Sequence, residues 1–161
     1  MYKNLLIREA VEKDLPRLLK IYGELTDDPE DKITLDDALT KFEKLKTYPD
    51  YRLYIAVNEN VIVGTFALLI MDNLAHRGEP SSIVEDVVVS REWQGKGIGK
   101  EMMQYAMNIS RLKGCYKMVL SSHFRRADAH KFYESLGFKK HGFSFTVDLN
   151  PSDKLIRMIL P

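Results

Sequence analysis

Apolar positions recur at two periods along this chain, and the switch between them lays out its elements. Asn4 to Arg8 reads as a short first strand. Tyr51 to Val57 alternates apolar and polar at its start, and Val61 to Met71 is a longer apolar run. Both patterns predict strands. Asn58-Glu59-Asn60 between them predicts a hairpin turn, and Gly64 marks a candidate bulge. Helical spacing appears elsewhere. Asp14 is placed to cap a helix over Leu15 to Leu25, with Leu18, Leu19, Tyr22 and Leu25 on one face. Thr34 is placed to cap a second, with Leu35, Ala38, Leu39, Phe42 and Leu45 apolar, ended by Tyr48-Pro49-Asp50. Thr26 to Asp31 is an acidic turn between them. Ile83 to Val89 predicts a further strand. Ile98, Met102, Tyr105, Ala106, Ile109 and Leu112 then form the stripe of a helix that Gly114 ends. Tyr116 to Leu120 predicts a strand, Ala127 to Leu136 a helix closed by Gly137, and Phe138 and Phe143 to Leu149 two last strands. Leu155, Ile156, Met158, Ile159 and Leu160 give the tail the makings of another strand or a partner contact. The order βααβββαβαββ predicts an α+β fold with α/β-like layers: a mixed central sheet with helices on both faces.

One stretch interrupts this alternation with chemistry. Ser82 to Gly99 runs from a β-branched strand containing Glu85 and Asp86 into Gln94-Gly95-Lys96-Gly97-Ile98-Gly99, with a helix following from Lys100. A glycine-rich loop at a helix N-terminus presents free N–H groups and the positive end of the helix dipole, a combination suited to phosphate. Two common phosphate loops fail here. The dinucleotide fingerprint counted from Gly95 needs glycine at its sixth position, which is Lys100. The P-loop would need glycine where Gln94 stands and Ser or Thr where Glu101 stands.

What remains, Gln94-x-x-Gly97-x-Gly99, resembles the Arg/Gln-x-x-Gly-x-Gly/Ala signature of the GCN5-related N-acetyltransferases (GNAT), whose loop holds the pyrophosphate of acetyl-CoA. A second stretch, Ala129-His130-Lys131-Phe132-Tyr133-Glu134-Ser135-Leu136-Gly137-Phe138, is similar to that family's late motif. One helix and one strand separate the two, as in the family. The resemblance is specific from about Ser82 to Phe138. It implies one N-acetyltransferase domain over residues 1–161, with a mostly antiparallel sheet whose central strands splay apart. Val84 to Val89 and Gly114-Cys115-Tyr116-Lys117 also look like the glucosamine-6-phosphate acetyltransferase branch.

The resemblance assigns roles to numbered residues. Gln94, Gly95, Lys96, Gly97, Ile98, Gly99 and Lys100 would hold the cofactor. So would the strand Val87-Val88-Val89, with the amides of Val87 and Val89 free for the pantetheine arm and the thioester oxygen. Tyr133 would protonate the departing thiolate, whose free pKa lies near about 8.5; the alternative is a core tyrosine. Where the family often carries Asn, this chain has Arg126, either a partner for a CoA phosphate or a solvated basic turn. The acceptor amine, with a free pKa near about 10, must lose a proton before it attacks. The histone-type members of the family place a glutamate base at the position of Ile83, so that carry-over fails. Glu85 shares a strand face with Ile83 and Val87 by the period of two, and Asp86 lies opposite. Glu85 is then a base, acting directly or through water, or with Asp86 a substrate anchor; the alternative is an ion pair with an arginine such as Arg77.

Composition narrows the picture further. The chain has 161 residues, 45% hydrophobic and 29% charged, with net charge +1. That balance gives no bulk field toward nucleic acid or membrane surfaces. The single cysteine, Cys115, excludes an internal disulfide and a cysteine-based zinc cluster, and reads as a core residue. His76, His123, His130 and His141 lack metal spacing; His130 lies one turn before Tyr133, as a tuning group or a surface residue. No apolar run is long enough to span a membrane, and Met1 to Asn4 does not open a signal peptide. The expectation is a cytoplasmic enzyme that moves the acetyl group of acetyl-CoA, without a metal, to a primary amine of a small molecule. The alternatives are a protein acetyltransferase and a non-catalytic CoA-binding module. The loop at 76 to 80 is expected to border the acceptor. Homodimerisation, common in the family, is the expected assembly.

Overall fold

Val61–Met71 is the apolar strand on which the first part of the chain is assembled. A computed structural model describes residues 5–24, 32–147 and 149, so the tail beyond 150 and the acidic turn at 26–31 lie outside the described residues. The chain divides into two compact units, one ending at Leu120 and one starting at Ser121.

The first unit holds a five-stranded sheet in the order β1 (Leu5–Glu9), β2 (Tyr51–Asn58), β3 (Val61–Met71), β4 (Ser81–Val89), β5 (Lys117–Val119). The first four pair antiparallel, and β5 joins β4 in parallel. Glu59 and Asn60 turn the β2–β3 hairpin with φ of 48° and 68°, the paired left-handed geometry a two-residue loop needs. The expected bulge falls beside Gly64: Ala56 pairs with Gly64 but Val57 with Ile62, leaving Val63 extra.

Helices cover both faces. α1 (Leu15–Tyr22) and α2 (Leu35–Lys46) pack Leu15, Leu18 and Phe42 against Ile55. Thr34 caps α2, accepting from the Asp37 amide at 3.2 Å. Asp14 does not cap α1 with its side chain. It is buried, and a buried carboxylate needs a counter-charge. Arg8 supplies it through two bonds of 2.7 and 2.9 Å, and the Val11 amide adds a third at 2.8 Å. Burial pushes the Asp14 carboxyl up, but the Arg8 guanidinium and the Val11 amide outweigh it and hold the group below the usual carboxylate range.

On the other face α3 (Ile98–Leu112) buries Ile98, Met102, Met103 and Ala106. A Cβ on Gly64 would stand 2.7 Å from the Met102 sulfur and 2.9 Å from the Val88 carbonyl oxygen. Glycine therefore lets α3 press directly on β3.

The second unit contains α4 (Ala127–Ser135), ended by Gly137 at φ 92°. The strands expected at Phe138 and from Phe143 do not form among the described residues. Phe143, Phe145, Val147 and Leu149 keep their alternation but are exposed. Alternation marks which face a strand would bury; it does not supply a neighbouring edge to pair with.

Candidate active site

The carboxylates of β4 sit on a break in the sheet. Thr65 pairs with Val88 and Ala67 with Glu85, so Asp86 and Val87 together stand opposite Phe66. Asp86 takes a left-handed φ of 51° to make this bulge, a conformation Asp tolerates better than most residues. The extra residue resets the alternation. Val88, not Val87, shares a face with Glu85, which corrects the period-of-two assignment. Val84 and Val88 are buried, whereas Glu85 and Asp86 are exposed. Among the described residues no ion pair joins Glu85 to Arg77.

Beyond this bulge no strand among the described residues pairs with the outer edge of β4, which is open there. β5 pairs only with Ser81, Ser82 and Ile83. The Ser90 amide donates to the Val63 carbonyl on β3 at 2.9 Å. Alternation then turns the backbone of Val88 to β3 as well, and the groups of Val87 and Val89 to the open edge. The strand thus offers amides at Val87 and Val89 but not at Val88. The Val89 carbonyl is already occupied, accepting from the Gln94 side chain at 2.9 Å.

The glycine loop follows a 3₁₀ turn, Arg91–Trp93. Gly95 and Gly97 have φ of 71° and 83°, and Gly97 caps α3. The helical ladder starts with Glu101 N to Gly97 O at 3.2 Å, so the amides of Ile98, Gly99 and Lys100 precede it and lack intrahelical acceptors. A Cβ on Gly95 or Gly97 would meet nothing within 4 Å. The space above the loop is open, as a cradle for a pyrophosphate requires. The Lys96 ammonium lies 4.6 Å from the centre of the Trp93 ring, and Lys96 and Lys100 are exposed.

Two tyrosines that the sequence does not single out for chemistry feel the charge of the carboxylates. Burial pushes the Tyr22 phenol up to about 12; the Asp86 charge acts in the same direction, and a hydrogen bond with Thr65 opposes it. Burial also raises Tyr51, helped by Asp86 and Glu85. Both phenols therefore stay neutral, and the Asp86 charge acts on each. One-dimensional patterns miss them because α1, β2 and β4 meet only in the fold. The loop at 76–80, in contrast, is fastened at the far end of β4. Tyr116 N donates to the Pro80 carbonyl at 3.0 Å, and the His76 and Tyr116 rings lie 4.5 Å apart. That end, at Ser81, is about 13 Å along the strand from Glu85.

In the second unit Tyr133 is half-buried on α4, its ring 5.1 Å from Phe132 and 5.8 Å from Phe138. Burial raises its phenol, and the Arg126 charge pulls the other way. Arg126 is the exposed residue that precedes α4, its carbonyl accepting from the His130 amide at 3.0 Å. The His130 ring nitrogen Nε2 lies 3.0 Å from the His123 carbonyl oxygen. Cys115 is half-buried, and burial raises its thiol, which disfavours a nucleophile. Among the described residues, no His, Cys, Asp and Glu side chains group to hold a metal ion, and no helix is long and apolar enough to cross a membrane.

A mixed sheet that opens beside a glycine-capped helix is the frame of an acetyltransferase. Residues 15–138 match the acetyltransferase (GNAT) family, and the chain belongs to it. It is 32% identical over 154 residues to a glucosamine 6-phosphate N-acetyltransferase of Trypanosoma brucei brucei, covering 91% of this chain and 97% of that protein. It is 30% identical over 98 residues to an aminoalkylphosphonate N-acetyltransferase of Salmonella typhimurium, covering 61% of this chain and 63% of that protein. The crystal structure of a Trypanosoma brucei acetyltransferase superposes with a TM-score of 0.78 at 30% identity, covering 91% of this chain and all of the other. The chain is an N-acetyltransferase, as the sequence resemblance implied.

Proposed function

We propose that this enzyme takes the acetyl group of acetyl-CoA and passes it to the primary amine of a small molecule bearing a phosphate or phosphonate. The observation that carries the reading is the open edge of β4: Val87 and Val89 present amides there, between the Glu85–Asp86 bulge and the glycine-capped start of α3. The acceptor class rests on the two relatives named above, each of which takes its name from an amine bearing such a group. The family match runs across both compact units, so residues 1–161 are read as one acetyltransferase domain.

The residues divide the work. The amides of Ile98, Gly99 and Lys100, with Lys96 and Lys100, would hold the donor's pyrophosphate. When bound, acetyl-CoA supplies a thioester. The Val87 and Val89 amides meet the negative charge that grows on the thioester oxygen. Glu85 and Asp86 draw in the acceptor ammonium, and Glu85 takes its proton directly or through water so that a neutral amine attacks. Tyr133, kept protonated by burial, donates to the departing thiolate. Arg126 is assigned to a CoA phosphate. The reading includes a cytoplasmic homodimer, for which light scattering should give twice the chain's mass.

The test is release of CoA thiol from acetyl-CoA in the presence of glucosamine 6-phosphate, an aminoalkylphosphonate, unphosphorylated glucosamine, and lysine-bearing peptides. The expected result is fast release with a phosphorylated or phosphonylated amine. Release with peptides alone would move the enzyme to protein acetylation. Tight CoA binding with no release for any acceptor would make the chain a CoA-binding module.

A further inference from the structure

The turn that ends α1 carries a carboxylate bonded across the molecule. One oxygen of Glu24 accepts from the Ser90 hydroxyl at 3.0 Å, and the other accepts from the Arg91 amide at 2.6 Å. These partners are 66 and 67 residues away along the chain. They are also the two residues that join β4 to the turn before the glycine loop. Ser90 is nearly inaccessible, at 2% exposure, so its hydroxyl needs a partner within the protein. The Arg91 amide is the first of a 3₁₀ turn, so its acceptor must come from outside the turn. Glu24 satisfies both at once.

We propose that Glu24 is a positioning residue for the donor loop. The loop runs between two fixed ends. Its far end is the start of α3, where buried Ile98 and Met102 anchor the helix against β3. Its near end is Ser90–Arg91, which Glu24 ties to the last turn of α1. Gln94 closes the entry by bonding Val89. With both ends set, the free amides of Ile98, Gly99 and Lys100 are held for the ligand without an ordering cost at binding. Glu24 touches neither substrate nor reacting atoms. Tyr22, two residues before Glu24 at the end of α1, lies in the field of Asp86. The inference rests on the reading that the Gln94–Gly99 loop binds acetyl-CoA.

Trp93 is the chain's one tryptophan and lies in the turn that Glu24 holds, so its fluorescence reports on the loop. CoA titrated into the wild-type protein should give a saturable change. In Glu24→Ala the dissociation constant should rise about tenfold, the scale of one or two charge-assisted hydrogen bonds lost. At saturating acetyl-CoA its kcat should fall less than about threefold, because a positioning residue acts on binding and not on the chemical step. Glu24→Gln should recover most of the affinity: its Oε1 can accept from Arg91, and the Ser90 hydroxyl can rotate to accept from its Nε2. Ser90→Ala, which leaves the Arg91 bond in place, should weaken CoA by less than Glu24→Ala does. A Glu24→Ala protein that binds CoA as tightly as wild type overturns the proposal while leaving the loop's assignment intact. So does one whose kcat and thermal midpoint collapse together with no recovery in Glu24→Gln, because Glu24 is then structural. No saturable CoA binding by the wild type, checked by calorimetry, overturns the loop's assignment and this inference with it.

Discussion

The Gln94 side chain donates to the Val89 carbonyl at 2.9 Å, five residues back along the chain. The contact closes the glycine loop onto the strand that precedes it and fixes which edge of Val89 remains open. Gln94→Ala loses the tie, and Gln94→Glu sets two acceptors against each other. The KM for acetyl-CoA should rise about tenfold in the first and further in the second. KM values equal to wild type in both variants would show that the contact does not shape the loop.

Tyr133 should act on turnover and not on donor affinity. Its phenol is raised by burial, so it stays protonated through neutral pH and has a proton to give. Tyr133→Phe should leave the CoA dissociation constant in place and cut kcat at least about tenfold, within the range of a single acid–base group. Wild-type turnover in this variant would remove Tyr133 from the reaction.

The two carboxylates at the bulge make separable predictions. Glu85→Gln should flatten the acid limb of the kcat/KM profile, because that limb reports a base that must be ionised in the free enzyme. An unaltered profile eliminates Glu85 as the base. Asp86→Asn should keep the bulge, since Asn accepts positive φ. Asp86→Val places a β-branched residue at φ 51° and should lower unfolding stability by about 1–2 kcal/mol. Denaturant unfolding of the two variants reads the difference.

The Arg8–Asp14 pair sets a pH dependence of stability. The folded pKa of Asp14 lies below its ordinary value, so the native state binds the proton less readily than the unfolded chain. Its contribution is full above the unfolded value of about 3.9 and is lost as pH falls through the folded value. Asp14→Asn should cost about 2 kcal/mol near neutrality, because it leaves a guanidinium without its carboxylate. The gap between variant and wild type should shrink below about pH 4. A gap that stays constant into acid would show that the pair is not the cause.

Much of this architecture is legible in the chain. The apolar run from Val61 to Met71 appears as one strand. The helix expected from Lys100 forms from Ile98 to Leu112 and buries Ile98, Met102 and Ala106 of its expected stripe, although Leu112 at its end is exposed. Three features are not. The bulge at Asp86 escapes because period-two reading assumes that no residue is inserted, and Asp carries no glycine-like sign of positive φ. The Phe143 to Leu149 alternation suggests a strand, but pairing depends on an edge that sequence does not reveal. Glu24 escapes for a third reason. Its bonds span 66 and 67 residues, and no local pattern distinguishes it from an ordinary helix-end glutamate. The glycine signature is legible because its chemistry is local: amides, φ angles and a helix start all lie between Gln94 and Gly99.

The parallel pairing of β5 with β4 also has a kinetic side. β2 and β3 are joined by a two-residue turn, which allows them to zip in microseconds. β5 reaches β4 only after α3 has been laid down between them, and then holds just three pairs. The donor loop lies inside that crossover. Its shape is therefore completed with a long-range closure, after the β2–β3 hairpin has formed. During refolding, the native signal of Trp93 should lag behind formation of the β2–β3 hairpin.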